Sequence, residues 1–435
     1  MLTIDKVLPE NRIDTDVVSL RAWLVCLTAA LFFFYEFIQM NLFNAISTSL
    51  LSDLALDSHG LAKLSSYYFY ANLFFLFPAG LILDRFSTRK IILSSMLICI
   101  LGTFLFGLST NFYLAALFRF LTGIGSAFCF LSSIRLASRW FPAKRMALIS
   151  GVIVTMAMFG GFIAQTPMTK LAETVGWRHA MFVDASLGLL FLLFIWLFVK
   201  DYPSHKNYQQ QESQSQLKAI GFFRNLQKAY LNIQNWISGL YTCFMNMPIS
   251  ILGALIGQLY LVQVYHFNTG QASYITSMLF IGTMIGSPLS GWFSDYIGLR
   301  RLPMILGSCC SLLISLLILY LPTLNFLTLL VLFFSLGFFS STQIISYPTV
   351  AEKNSPIMTA SAVSVVSFSV ISGYPVSQLL FTWLLDSHWN KLIINNSPIY
   401  SPADFHYALF LLSTAFLLAL ITAMLCKETK CKRIL

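Results

Sequence analysis

Long apolar segments alternate with short polar connections along almost the whole chain. About twelve of these segments reach the length that a membrane-spanning helix needs, roughly 20 residues for a bilayer core about 30 Å thick. They lie near residues 22–48, 62–83, 91–110, 112–136, 146–168, 179–199, 236–264, 272–293, 303–321, 325–347, 358–384 and 405–426. The pattern predicts an all-α integral membrane protein with twelve transmembrane helices in two six-helix bundles.

The composition excludes a soluble domain. Of the 435 residues, 57% are hydrophobic and only 10% are charged, whereas soluble domains carry roughly 25% charged residues. The net charge of +10 would suggest nucleic acid as the partner of a soluble protein. In a membrane protein the placement of Lys and Arg matters more than their sum, so we expect lipid rather than nucleic acid around this chain.

Basic residues predict the orientation of the helices. If the N-terminus is cytoplasmic, most of the 27 Lys and Arg residues fall on cytoplasmic connections. Those that fall on the other side are Lys63, Lys170, Arg178 and Lys391. Positive charge is retained in the cytoplasm during insertion, so we expect both termini inside and a bacterial inner membrane as the location.

One long polar interval divides six apolar segments from six. The predicted organisation is a cytoplasmic tail over 1–21, a first bundle over 22–199, a cytoplasmic linker over 200–235, a second bundle over 236–426 and a cytoplasmic tail over 427–435. The linker contains apolar residues spaced among basic ones, as in an interfacial helix. It serves either as a tether lying on the membrane or as a regulatory segment.

The two halves carry the same short motif. Gly80, Asp84, Arg89 and Lys90 follow the second apolar segment, and Gly291, Asp295, Arg300 and Arg301 follow the eighth. Both copies fit G-x-x-x-D-x-x-x-x-[RK]-[RK] at equivalent places in their halves. The repeat predicts a duplicated, pseudo-symmetric bundle.

These residues resemble the signature loop of the major facilitator superfamily. The first copy departs from the family's form at Ser87, where a glycine is usual, and the second departs at Tyr296. A second family signature, R-x-x-x-G-x-G in the fourth span, is matched by Arg119, Gly123 and Gly125. The resemblance implies two bundles that rock around a central site near the midplane.

The resemblance also implies a gating role for the two loops. The gating candidates are Gly80, Asp84, Arg89, Lys90, Gly291, Asp295, Arg300 and Arg301. In the family each Asp meets the N-terminal dipole of a helix in the other half, where a carboxylate is stabilised by roughly 0.3–1 kcal/mol. The alternative is that both loops are tight turns whose charges only set topology.

Three ionisable residues lie inside apolar segments, where each costs about 2.5–3.5 kcal/mol on insertion scales. Glu36 and Arg119 fall at nearly equal depths of the first and fourth spans by the helical rise per residue. We therefore expect them to form an ion pair or to bind substrate and proton jointly, and a static ion pair is the alternative. Asp184 lies near the start of its segment and is interpreted as an interfacial structural acid.

Uncharged polar residues supply the remaining site candidates. The predicted cavity-lining residues are Tyr35, Gln39, Asn72, Gln165, Asn246, Gln343, Tyr374 and Gln378. Further polar residues in the spans are Asn41, Asn44, Tyr68, Tyr70 and Gln258. Each of these side chains either contacts a ligand or forms a hydrogen bond between packed helices.

The sequence thus predicts a secondary transporter that acts as a monomer, moving a small polar organic solute inward together with a proton. An embedded Arg favours an amino acid or organic anion, because guanidinium binds carboxylate bidentately. The alternatives are an exporter of drugs, metabolites or siderophores, and a membrane receptor that does not transport. The chain has no H-E-x-x-H, G-x-S-x-G or phosphate-loop motif, so we expect no enzyme activity, no cofactor and no metal.

Overall fold

The computed structural model is almost entirely helical. It describes residues 20–141, 146–203, 227, 229–321, 324–354, 359–394 and 397–432. Residues 1–19 and 204–226 lie outside this description, and with them most of the predicted N-terminal tail and linker. Within the described part, ten helices are long and apolar enough to cross a membrane.

Two further helical segments complete the twelve spans. Spans 1 to 6 are Leu20–Asp53, Ser58–Arg85, Thr88–Gly107, Phe112–Ser126 with Cys129–Trp140, Met146–Ile163 with Thr166–Val175, and Trp177–Phe198. Spans 7 to 12 are Ile233–Met245 with Gly257–Tyr265, Thr269–Ile297, Arg301–Tyr320, Phe326–Ser340 with Ser346–Glu352, Thr359–His388, and Pro402–Leu425. The predicted fold class, two pseudo-symmetric six-helix bundles in a membrane, is confirmed.

Small polar residues set where spans begin. Asp57, Asn111, Asn268, Asn325 and Ser401 each precede an even-numbered span and accept a hydrogen bond from a backbone N–H of its first turn. Such caps satisfy N–H groups that lack a partner within the helix. They lie on one side of the molecule, here called the capped face, and the loops after spans 2 and 8 lie on the other, here called the basic face.

Four of the described spans are interrupted rather than continuous, and the first of these is span 4, which turns at Ala127 and Phe128. Span 5 breaks at Gln165, just before Pro167 in the first turn of its second helix. Span 7 contains a π-helical turn over Ile249–Gly253, and span 10 contains a 3₁₀ turn over Ser341–Ile345. Such turns free backbone groups from the regular α-helical pattern, and within a bilayer those groups need partners in the protein.

The halves meet through spans 2 and 11 and through spans 5 and 8. Phe69 of span 2 stacks on Tyr374 of span 11 with ring centroids 4.9 Å apart. A short antiparallel hairpin, Ile393–Ile394 with Ser397–Pro398, connects spans 11 and 12 at the capped face. The polar residues described next therefore lie inside a closely packed apolar body.

Candidate functional site

Six embedded polar residues of the first half form one cluster. This embedded cluster consists of Glu36 and Gln39 of span 1, Tyr68 of span 2, Thr103 of span 3, Arg119 of span 4 and Asp184 of span 6. Its two acids and its base are almost completely buried, with 4%, 3% and 1% exposure for Glu36, Asp184 and Arg119. The charges are thus held by protein and not by bulk water.

Aromatic rings surround the Arg119 guanidinium. Its Cζ lies 4.6 Å from the ring centre of Phe43, 4.7 Å from that of Tyr68 and 6.0 Å from that of Phe106. A desolvated cation over an aromatic face gains about 2 kcal/mol. No described residue forms a hydrogen bond with the buried Nε or Nη2 of Arg119. The base is therefore positioned by rings, while two of its nitrogens have donor capacity left.

Glu36 and Arg119 do not form the ion pair that the sequence suggested. No N···O contact within 4 Å joins them among the described residues, because Tyr68 lies between the two groups. The Tyr68 hydroxyl donates to Oε1 of Glu36 at 2.5 Å, while its ring faces Arg119. The Cys129 thiol also interacts with this buried carboxylate. The described residues thus show no direct contact between the two charged groups, and joint binding of substrate and proton stays a proposal.

Asp184 belongs to the same cluster and is not an interfacial acid. Nε2 of Gln39 donates to its carboxylate, and the Thr103 hydroxyl donates to Oε1 of Gln39 at 2.8 Å. The interpretation of Asp184 as interfacial was wrong because distance along a helix does not show which neighbours cover it. Spans 1 and 3 bury this acid although it lies only two turns from the start of span 6.

Glycines of the fourth span bring the cluster together. A Cβ on Gly123 would collide with the backbone carbonyl of Tyr68, and one on Gly125 would collide with that of Ser95. Gly123 lies one turn after Arg119 on the same helix face. Only a missing side chain lets spans 2 and 4 approach closely enough for Arg119 to meet the Tyr68 ring.

The other cavity-lining candidates separate into different places. Asn72 donates to the Ser126 hydroxyl at 2.7 Å within the first half. Gln378 donates to the Ser250 carbonyl at 3.0 Å, and Asn246 donates to the Thr242 carbonyl at 3.3 Å, both within the second half.

Tyr35, Gln343 and Tyr374 are buried as well. The Tyr35 hydroxyl interacts with Thr103, and Oε1 of Gln343 has no hydrogen-bond partner among the described residues. Tyr374 forms the ring stack between the halves. The structure thus brings Gln39 and no other amide of the predicted set into the embedded cluster.

Gln165 joins the two halves instead. Its Oε1 accepts from Asn44 at 2.5 Å and from Thr276 at 3.0 Å, and its Nε2 donates to the Gly253 carbonyl at 2.7 Å. Asn44 in turn accepts from the backbone N–H of Gln258 at 2.8 Å. This capped-face seal, formed by Asn44, Gln165, Gly253, Gln258 and Thr276, uses the break of span 5 and the π turn of span 7.

The predicted gating residues lie at the basic face. Arg300 donates to Asp295 at 2.6 Å and to Glu352 of span 10 at 2.7 Å. Burial alone would lower the pKa of Arg300, but Glu352 and Asp295 raise it above its ordinary value. The described partners of this arginine all belong to the second half, and a role in gating stays a prediction.

The first copy of the motif has different contacts. The side chains of Gly80 and Asp84 lie outside the description. Arg89 donates from its guanidinium to the Trp196 carbonyl and from its backbone to Asp201, and Lys90 is exposed. Gly291 has open space where a Cβ would stand, and the Arg301 backbone donates to Glu428.

Four important residues did not stand out in the sequence. Tyr68 was one tyrosine among many, although its place one turn before Asn72 on a polar face was a usable signal. Asp201, Glu352 and Glu428 sit in polar connections, where acids are common. Their roles depend on backbone N–H groups and on arginines brought near by folding, which no local pattern displays.

Comparisons with known proteins agree with this architecture. The family model for the Major Facilitator Superfamily matches residues 27–249 and again 238–430. The probable galactarate/D-glucarate transporter GudP of Escherichia coli (strain K12) is 26% identical over 66% of this chain and 70% of that protein. The membrane sensor protein UhpC of the same strain is 23% identical over 84% of this chain and 85% of its own length.

A solved structure shows the same fold. It is a bacterial homologue of the human lysosomal transporter Spinster in an inward-facing, unoccupied conformation, with a TM-score of 0.72 and 17% identity over 94% of this chain and 97% of that one. The family model matches nearly the whole chain, and the observed helices and the duplicated loops agree with it. This chain therefore belongs to the Major Facilitator Superfamily of membrane transporters.

Proposed function

We propose that this chain is a secondary active importer of a small organic solute that carries a carboxylate, and that a proton moves with it. The main observation behind this proposal is Arg119, a fully buried guanidinium whose Nε and Nη2 have no hydrogen-bond partner in the described part of the chain. A buried donor without an acceptor costs about 1–3 kcal/mol, and more when charged. A carboxylate that accepts from two guanidinium nitrogens removes this cost.

The names of several relatives support an anionic substrate. Matches include a probable galactarate/D-glucarate transporter, a sialic acid transporter and a probable sulfoacetate transporter. Each of these named compounds carries an acidic group. Amino acids carry a carboxylate too, and they stay within the proposed class.

Glu36 is the proposed proton carrier. It lies beside Tyr68, which also covers Arg119, so a change in charge at one end of this contact is felt at the other through a short distance in a low dielectric. Protonation of Glu36 offsets the negative charge that a bound carboxylate brings into the membrane. Import then draws on the proton gradient, with the basic face in the cytoplasm of a bacterial cell.

A ligand screen on purified protein tests the substrate class. Sugar acids, amino acids and other organic acids are compared with their neutral amides in thermal unfolding, because a ligand that binds only the folded state raises its stability. We expect a carboxylate to stabilise the wild type at concentrations where Arg119→Gln does not respond. Equal stabilisation by the neutral amide would contradict the proposed role of Arg119.

Arg119→Lys is the matched variant for that screen. It keeps the positive charge and loses the planar fork. We expect a loss of affinity of about tenfold or more, equivalent to ~1.4 kcal/mol. Unchanged affinity in Arg119→Lys would show that charge alone, and not bidentate binding, is recognised.

A receptor that does not transport is the second candidate, favoured by the match to the membrane sensor protein UhpC over 84% of this chain. Counterflow in vesicles distinguishes the two. A transporter loaded with unlabelled ligand takes up labelled ligand beyond equilibrium, whereas a receptor binds the ligand without such uptake. Vesicles of fixed orientation and an imposed pH gradient also separate import from export.

A further inference from the structure

Asp184 is a buried acid that no described cationic side chain contacts. No Lys, Arg or His nitrogen lies within 4 Å of its carboxylate in the described part of the chain. Its hydrogen bond comes from the neutral amide of Gln39, whose orientation is fixed because Thr103 donates to the amide oxygen. The surroundings of Asp184 therefore give its carboxyl group a hydrogen-bond donor, but no cation in direct contact neutralises its negative charge.

The groups around Asp184 are few. Span 1 faces it with Tyr35 and Gln39, span 3 with Cys99, and span 4 with Arg119. The second helix of span 5 also packs on span 6. Its two charged residues, Lys170 and Glu173, bond to Tyr274 and Thr269 of the other half.

Tyr35 is a further polar group beside this acid. Its hydroxyl is completely buried and interacts with the Thr103 hydroxyl. It lies against Gly188, where a Cβ would come within 2.9 Å of the hydroxyl oxygen. Gly188 is one turn beyond Asp184 on the same face of span 6. The buried surroundings of this acid thus include a hydroxyl that can accept a further hydrogen bond.

The excess negative charge of the embedded cluster favours the binding of protons. Two carboxylates and one guanidinium leave one excess negative charge inside the membrane, and a carboxylate bound to Arg119 makes the excess two. Each uncompensated charge at this depth is expensive, and Glu36 accepts only one proton. Neutrality of the loaded cluster needs a second acceptor of protons.

We propose that Asp184 is a second proton-binding site, distinct from Glu36, so that the loaded carrier holds two protons. Binding converts the Asp184 carboxylate to a carboxylic acid, keeps the Gln39 donor on one oxygen and leaves the new O–H to donate. The proton site stands on the cluster itself. Its link to the uptake of a carboxylate rests on the proposed function.

Infrared difference spectroscopy tests the site without any substrate. The whole chain in lipid vesicles is stepped between alkaline and acidic buffer, and the C=O stretch of buried protonated carboxyl groups is recorded. We expect two components in the wild type, of which Asp184→Asn loses one and Glu36→Gln loses the other. A spectrum of Asp184→Asn equal to that of the wild type would overturn the proposal.

Two further variants keep the result interpretable. Asp184→Glu serves where the Asn variant does not fold, and it should retain two components with one of them shifted in frequency. Gln39→Leu removes the donor to Asp184 and should shift the Asp184 component alone. If neither variant shifts the frequency of a C=O stretch component, the proposal fails.

Repeating the titration in sodium and in potassium buffer distinguishes the ion. A component that sodium suppresses would assign the site to a metal cation and overturn the proton assignment. Because no substrate is present, these outcomes are independent of whether the chain imports carboxylates. Counterflow of a carboxylate fails on its own if the proposed function is wrong.

Discussion

Tyr68 is the side chain through which the acid and the base of the embedded cluster contact each other. Its hydroxyl bonds to Glu36 and its ring covers Arg119. A hydrogen bond to an ionised group contributes about 1.5–3 kcal/mol, and a desolvated cation–π contact about 2 kcal/mol. Both contacts depend on the position of one ring, so a movement of span 2 alters both charges together.

Glu36→Gln should separate transport from proton coupling. Glutamine keeps an oxygen for the Tyr68 hydroxyl but cannot release a proton at working pH. We expect uptake against a gradient to fall at least about tenfold, equivalent to ~1.4 kcal/mol, while counterflow exchange continues. Both are measured in vesicles with an imposed pH gradient.

Asp53→Asn is the control for that experiment. Asp53 ends the same span 1 but is 41% exposed and bonded to Arg178 and Trp177, away from the cluster. We expect Asp53→Asn to accumulate substrate against a gradient to the same extent as the wild type. Accumulation by Glu36→Gln at the wild-type level would exclude Glu36 as the proton carrier.

The sequence showed the positions of these charges but not their partners. Glu36 and Arg119 could be identified because ionisable groups inside apolar segments are rare and costly. Whether they contact each other could not be predicted, since equal depth on two helices does not show which way each side chain points. Tyr68 between them and Gln39 beside Asp184 are consequences of how spans 1, 2, 4 and 6 rotate against one another.

At the scale of helices, the irregular segments carry the contacts between the halves. Gln165 stands at the break of span 5 and reaches the Gly253 carbonyl in the π turn of span 7. The Phe280 ring of span 8 fills the space left by Gly161 and Gly253, where a Cβ on either residue would touch it. Transport by alternating access requires these contacts to break and re-form.

Gln165→Leu should therefore favour opening at the capped face. It removes the acceptor of Asn44 and Thr276 and the donor to Gly253, and a loss of about 1–2 kcal/mol changes an equilibrium by a factor of about 5–30. We expect a thiol at Ser277→Cys, which lies opposite Thr166 in this contact, to react faster with a membrane-impermeant reagent by a factor in that range.

Gln263→Leu provides a matched comparison. Gln263 is an amide at the same face, but it bonds to Pro398 and Tyr400 within its own half. It should leave the labelling rate of the Ser277→Cys thiol unchanged. Equal acceleration by both variants would attribute the effect to general loosening rather than to the seal.

The twelve spans could be predicted from apolar length, whereas their interruptions could not. A helix of span 5 continues to Val175, beyond the predicted segment, because Pro167 sits in a first turn where its missing N–H costs nothing. The π turn of span 7 follows Pro248 and ends at Gly253, but these two residues do not show that the irregular turn is π-helical. Its freed carbonyl is acceptable only because Gln165 from the other half bonds to it.

Across the whole molecule, the described embedded charges lie in the first half, while a dense ionic network ties the second half together at the basic face. Residues after span 12 take part in it. Glu428 accepts from the backbone N–H groups of Arg300 and Arg301 at 2.9 and 2.8 Å, and the Thr429 hydroxyl donates to Glu352. A carboxylate at the start of span 9 also suits the positive end of that helix.

The same segment reaches other spans of the second half. Lys427 donates from its backbone to Gln234 in the first turn of span 7, and Lys353 at the end of span 10 contacts both Gln234 and the Cys426 sulfur. Residues 426–432 thus connect the ends of spans 7, 9, 10 and 12. Such a tie favours motion of the second half as one body, which a rocking mechanism needs.

The contacts that residues 426–432 make with the other spans should weaken at low pH. Burial alone would raise the pKa of Glu428, but four backbone N–H groups, from Arg300, Lys430, Arg301 and Thr429, lower it below its ordinary value. A lowered pKa in the folded state means that the contribution to stability is complete above the carboxyl group's ordinary pKa. It is lost as the pH falls through the lowered value.

Glu428→Gln tests the tie through that pH dependence. At neutral pH we expect a loss of about 1–3 kcal/mol from the weakened bonds to Arg300 and Arg301, seen as a lower unfolding temperature in detergent. In strong acid the wild type also carries a neutral side chain, so the two proteins should converge. Lys430→Gln is the control, because Lys430 has an exposed side chain in the same segment and its replacement also changes the net charge. Its unfolding temperature should follow that of the wild type at every pH. If the difference in unfolding temperature between Glu428→Gln and the wild type stayed constant with pH, the carboxylate charge would not hold the segment in place.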